Sequence, residues 1–120
     1  MSETCEMIKF FEYLSWQEIQ RPELACIYHI PNEGTRSIRR GRIMKQKGVR
    51  AGIPDVCVPI ARGEWHSLFL EFKVKSGKLS PVQVKMCKLL HAHGHCVRVA
   101  WSADEAIEIL EKYLLTNANK

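Results

Sequence analysis

The sequence has no hydrophobic run long enough to cross a bilayer, which needs about 20 apolar residues in a helix. It has no basic, signal-like start: the first ten residues, MSETCEMIKF, are acidic where a signal peptide would be basic. It has no Cys-x-x-Cys pair, and its five cysteines are an odd number, which argues against a disulfide framework. Reduced thiols, mostly buried, in a reducing compartment are expected. Internal repeats and low-complexity linkers are also missing. With 120 residues and 46% hydrophobic content, the chain has the composition for one modest core, so a single soluble domain over 1–120 is expected. Acidic residues are absent from one stretch. Between positions 36 and 50 lie Arg36, Arg39, Arg40, Arg42, Lys45, Lys47 and Arg50, with no acid among them. A net charge of +5 says little by itself, but this clustering points to a segment that contacts phosphates. The plain alternative is a solvated surface helix.

The patterning predicts alternating elements. Met7, Ile8, Phe10, Phe11, Leu14 and Ile19 recur at helical spacing, so residues 2–20 read as a helix with Ser2 as its cap. LACIYHI (24–30) reads as a strand, stopped by the turn cluster Pro31-Asn32-Glu33-Gly34. Residues 35–47 fit a basic helix ended by Gly48. Asp55–Ile60 and Ser67–Lys75 alternate as strands, and the short link 61–64 makes them an antiparallel hairpin. Ser80, Pro81 and Gln83 form a capping box that opens a helix to about His93. CVRVAW (96–101) is then a strand parallel to 67–75, through a right-handed crossover. Ser102 and Glu105 form a second capping box, for a helix to about Leu115. The order describes an α/β fold with a mixed β-sheet flanked by helices.

Two acids interrupt the strands. Asp55 begins one and Glu71 lies near the end of the next, with Lys73 two positions further along the same face. A short hairpin brings the start of the first strand beside the end of the second, so the two carboxylates converge. Carboxylates that close raise each other's pKa, and a divalent cation with oxygen ligands removes the penalty. With Lys73 beside it, the set suits phosphodiester hydrolysis. A Glu-x-Lys pair alone is common on exposed strands, and Pro-Asp alone is a common turn; the combination carries the reading.

The segments HIPNEG (29–34), GVRAGIPDV (48–56), LEFK (70–73), GKLSPVQ (77–83) and GHCVRVAWSADEAIEIL (94–110) span nearly the whole chain. In order and spacing they resemble the VRR-NUC (virus-type replication-repair nuclease) domain of the PD-(D/E)XK nuclease superfamily. The resemblance implies a restriction-endonuclease-like fold and Mg²⁺- or Mn²⁺-dependent endonuclease activity on DNA, often at branched structures such as Holliday junctions. It implies that Asp55, Glu71 and the Phe72 carbonyl bind metal, that Lys73 is catalytic, and that Gln83 belongs to the site, although a capping-box Gln needs no catalytic duty. The family also carries a glutamate on its first helix. Glu3, on a face with Met7, Phe10 and Leu14, matches best, with Glu6 close behind. Asn32 joins the basic residues 36–50 as an expected DNA contact, though its turn explains it equally well. Stand-alone members resemble phage-encoded proteins, which implies the cytoplasm of a bacterial or phage-infected cell, and they act as homodimers.

A dimer is also reasonable physically, since one copy offers one cutting centre and a C2 pair offers two. Phe10, Phe11, Tyr13, Leu14 and Trp16 cover too much of the first helix for one core-facing stripe, which nominates that helix as the interface. A non-catalytic DNA-binding module is the rival reading, and a sequence-specific restriction enzyme is disfavoured by the short chain. CKLLHAHGHC (87–96) has zinc-ligand residue types but straddles a helix end without a recognised spacing.

Overall fold

The computed structural model of the chain describes residues 2–31, 38–75 and 77–117. Helix α1 (Glu3–Gln17) starts where the Ser2 hydroxyl accepts the Cys5 amide. A 3-10 turn, Pro22–Cys26, leads to strand β1 (Tyr28–His29) and the basic helix α2 (Ile38–Gln46). Strands β2 (Val56–Val58) and β3 (Ser67–Phe72) follow, then helix α3 (Pro81–Ala92), strand β4 (His95–Ala100) and helix α4 (Ala103–Leu115). The sheet order is β1-β2-β3-β4. β2 pairs antiparallel with β1 and β3, while β4 runs parallel to β3. The predicted hairpin and crossover are both present. No helix among the described residues is long and apolar enough to cross a membrane.

Strand alternation sorts the two sheet faces. Leu68, Leu70 and Phe72 of β3 join Val56 and Val58 of β2 in the core, under Phe10 and Leu14 of α1 and Leu110 of α4. The opposite face carries Ser67, Phe69 and Glu71 and meets α3. That helix buries none of its side chains fully, so the face it covers stays partly open. Glu6 joins α1 to α4: its Oε1 accepts the Ala103 amide at 2.8 Å and caps that helix from outside. Further along, Arg21 clamps Glu111 through its two terminal guanidinium nitrogens, Nη1 and Nη2, at 2.9 and 2.7 Å.

Several expectations need correction. Residues 24–30 are not one strand. Pro22 opens a 3-10 turn in which Leu24 N–H donates to Arg21 O and Ile27 N–H to Leu24 O. Leu24 and Ile27 are buried three residues apart, the period of a 3-10 helix, and only Tyr28 and His29 pair as strand. β2 is shorter than predicted; it stops before Pro59, which has no N–H for the ladder. β3 stops at Phe72, before the left-handed Lys75, so Lys73 lies just beyond the strand. The second capping box is only half formed. Ser102 accepts the Glu105 amide, but Glu105 Oε1 accepts from Trp101 N–H.

All five cysteines are free thiols, but only Cys57 is buried, and Cys5 and Cys26 are exposed. The large side chains that nominated α1 as an interface do not share one surface, and Phe11 is half-buried against the core. Phe10 and Leu14 enter the core, Tyr13 bonds Glu111, and Trp16 remains 73% exposed. Among the described residues no three His, Cys, Asp or Glu side chains gather at metal-ligand spacing. His91 instead packs on Trp65, and His95 Nδ1 pairs with the Ser67 hydroxyl at 2.6 Å.

The turn before β2 needs a glycine. Gly52 has φ +83°, and a Cβ there would stand 2.6 Å from the Val82 carbonyl at the start of α3. Gly52→Ala should cost about 2 kcal/mol or more in unfolding free energy, from left-handed strain plus the clash. Denaturant melts check this; unchanged stability would mean that the turn and α3 are not tightly packed.

Candidate active site

The hairpin register brings Asp55 to the end of β3 that carries Glu71. Asp55 N–H donates to Leu70 O at 3.0 Å, and Asp55 Oδ2 accepts the Phe72 amide at 2.7 Å. The side chain therefore closes the ladder where the backbone pairing ends. The Asp55 carbonyl accepts from Ile30 N–H at 2.7 Å and from His29 Nδ1 at 2.9 Å. Since a carbonyl only accepts, Nδ1 carries the proton of that ring. His29 thus braces Asp55 and lines the same cavity. The sequence reading gave it no role, and its only signal was its place in HIPNEG.

Glu71 is 3% exposed and Asp55 7%. Glu71 Oε2 accepts from Gln83 Nε2 at 3.0 Å. Gln83 also completes the helix cap, since its Oε1 accepts Ser80 N–H at 2.8 Å. The two readings of Gln83 are compatible: the cap fixes the amide plane, and the fixed amide holds Glu71. The other oxygen, Glu71 Oε1, is buried and has no hydrogen-bond partner among the described residues. Burial, then the Asp55 carboxylate, push the Glu71 carboxyl up to about 8, while Lys73 pulls it back.

These residues line a cavity of about 1160 Å³ that lies between α1 and α3 at the sheet end. Glu3 and Lys73 reach the same cavity; Glu6 is turned to α4 instead. Phe72 buries its ring against Phe10 at 5.7 Å, between Glu71 and Lys73 in the chain. The donor set fits a hard cation: two buried carboxylates, one with an orphaned oxygen, and no soft ligand required. Such an ion would draw on these two acids plus backbone or water oxygens, because Glu3 does not complete a three-carboxylate cluster among the described residues.

Arg39, Arg40, Arg42, Lys45, Lys47 and Arg50 are all exposed, on α2 and just after it. No described side chain from 39 to 46 is buried, so this segment presents charge to solvent rather than packing. Asn32 and Arg36 lie outside the described residues.

Glu71 yields a stability prediction without added metal. Its carboxyl ordinarily titrates at 4.5 and is raised to about 8 in the fold. The folded state therefore holds a proton that the unfolded chain releases, and stability falls as pH rises from about 4.5 through about 8. Glu6 and Glu111 are held below the usual carboxylate range, so they are already ionised across that window. Thermal melts of the metal-free protein should show Tm falling across it, and Glu71→Gln should flatten the fall. Equal slopes in both proteins would contradict the buried pair.

Comparison with known proteins bears on the same residues. The VRR-NUC domain profile matches residues 7–104 and so includes Asp55, Glu71, Lys73 and Gln83. A solved structure described as a VRR_NUC domain protein superposes with a TM-score of 0.80 at 27% sequence identity, over 98% of this chain and 91% of that one. No curated protein matches the chain. With that profile match and the mixed four-stranded sheet in common, the chain belongs to the VRR-NUC domain family and has its nuclease-type fold.

Proposed function

We propose that the protein is a divalent-metal-dependent endonuclease that hydrolyses phosphodiester bonds in DNA, selects branched substrates such as Holliday junctions, and works as a homodimer. The observation that carries the reading is the buried Asp55–Glu71 pair with its unsatisfied Glu71 Oε1, in a cavity shared with Lys73. Asp55, Glu71 and the Phe72 carbonyl would hold Mg²⁺ or Mn²⁺, with Glu3 available from α1. A bound cation would supply Lewis acidity and a water of lowered pKa. The chain's own groups orient and stabilise. Phe72 N–H holds one Asp55 oxygen and Gln83 holds one Glu71 oxygen, so both carboxyl groups are fixed in orientation before any ion arrives. Lys73 places a positive charge where the phosphate gains negative charge in the transition state.

The basic face of α2 supplies non-specific affinity by neutralising phosphates. A second copy would add a matched centre for the opposite strand, and Trp16 near the end of α1 with Ile19 in the turn after it, 73% and 72% exposed, are apolar residues it could cover. A non-catalytic DNA-binding module would keep the basic face but has no need of two buried acids.

One cleavage and binding series on a four-way junction with Mg²⁺ or Mn²⁺ tests these roles. Asp55→Asn and Glu71→Gln should abolish cutting with the fold intact. Lys73→Ala should lower turnover at least ~100-fold with little loss of binding. Reversing Arg39 and Arg40 to Glu should weaken binding to every DNA and flatten its salt dependence. Light scattering should show a dimer that Trp16→Glu splits. Full cleavage by either acid variant would remove the nuclease assignment at this site.

A further inference from the structure

We propose that the cavity beside the acid pair binds one unpaired nucleotide, whose base stacks on Phe11 within an apolar wall completed by Ile8 and Val82. The inference rests on the nuclease reading and names its substrate class: a strand unstacked at the cut, as at a branch point, flap or single-stranded end, rather than continuous duplex.

Size is the first argument. A hydrated cation with about six waters occupies about 180 Å³. The cavity holds about 1160 Å³, at or just above the upper end of small-molecule sites (about 300–1,000 Å³) and far more than one hydrated ion needs. The lining is the second. At the sheet end stand Asp55, Glu71 and Lys73, and facing them across the cavity are apolar side chains from α1 and α3. Ile8 is 55% exposed and Val82 45% exposed, although both border a site that would handle a polyanion. A nucleotide has the same division, with a charged phosphate at one end and a flat apolar base at the other. Phosphate is a poor occupant of the α1 side, because Glu3 and Glu12 also line it. A base carries no charge.

Preorganisation is the third. The half-buried Phe11 ring meets the fully buried Phe10 ring edge-on at 5.4 Å, with an interplanar angle of 83°. Phe10 in turn meets Phe72 at 5.7 Å. The platform is thus fixed by the core and tied to the residue that follows Glu71. A rigid aromatic face beside a cutting centre stacks any base, so it selects for strand separation and not for sequence. In continuous duplex the bases are already stacked, and this wall would face sugar and phosphate.

The test uses the full chain in EDTA, so that binding is read without hydrolysis. Fluorescence anisotropy compares a single-stranded oligonucleotide with a blunt duplex. Ultraviolet cross-linking of a 5-iodouracil oligonucleotide, mapped by mass spectrometry, reports the stacked residue directly. The wild type should cross-link through α1. Phe11→Ala should weaken single-strand binding about tenfold, leave duplex binding unchanged and abolish the α1 cross-link. Phe11→Tyr should retain both, and Ile8→Ala, at an exposed position that the fold tolerates, should give a smaller single-strand loss. The proposal is overturned if Phe11→Ala and Ile8→Ala bind single strands like the wild type. It is also overturned if both DNAs are lost equally, or if the substitutions change only the oligomeric state, which would make the wall a contact between copies. A protein that cuts no DNA with Mg²⁺ still passes or fails this binding test, so the two readings fail separately.

Discussion

Two carboxyl groups share the buried end of β3, and burial and proximity together hold the proton on Glu71 up to about pH 8 when no cation is bound. Ionising both would set two like charges against each other where little solvent screens them, on top of the desolvation cost of each. The fold answers with directed hydrogen bonds. Phe72 N–H takes one oxygen of Asp55, and Gln83 takes one of Glu71. Gln83 can do so because Ser80 locks its amide as a helix cap. The cap is held near the hairpin because Gly52 lets the turn before β2 press against Val82. Remove any of these and the acids have room to part. Among the described residues Glu71 Oε1 has no hydrogen-bond partner, and it is the oxygen best placed to take up a cation.

Helix α1 serves both halves of the molecule. Phe10 and Leu14 enter the core, Glu6 caps α4, and Phe11 walls the cavity. This division explains why the helix carries more large apolar side chains than a core-facing stripe would use. α3 is the reverse case. It buries no side chain fully, and its position is set by partly buried packing on β4 and on the Gly52 turn together with its N-terminal cap and Gln83. Local opening of α3 should cost less than opening β3, whose six residues are all buried. The site thus joins a rigid strand to a more loosely held helix.

Much of this was legible in the sequence where the cause is local. Ser80 and Gln83 declare a helix start through side chain to backbone bonds that need no tertiary partner, and the link 61–64 is short enough to force a hairpin. Convergence of Asp55 and Glu71 follows from that hairpin. Tertiary causes were not legible. Leu24 and Ile27 suit a strand as well as a 3-10 turn until Pro22 and the core decide. The helical face shared with Met7, Phe10 and Leu14 favoured Glu3 over Glu6, but why Glu6 is occupied shows only in the position of the α4 N-terminus: Glu6 accepts from Ala103 N–H while Glu3 borders the cavity. His29 was missed because its work is done through the backbone of Asp55, which no side-chain motif records. The second half of the Ser102 box was misread because Trp101 N–H competes for Glu105.

The central claim is that Asp55 and Glu71 form one cation site. Thermal melts with and without millimolar Mg²⁺ or Mn²⁺ at neutral pH test it most directly, since a ligand that binds only the folded state raises Tm. The account predicts a clear rise in the wild-type protein and none in Asp55→Asn or Glu71→Gln. A cation that leaves the wild-type Tm unchanged, or raises all three equally, would contradict it.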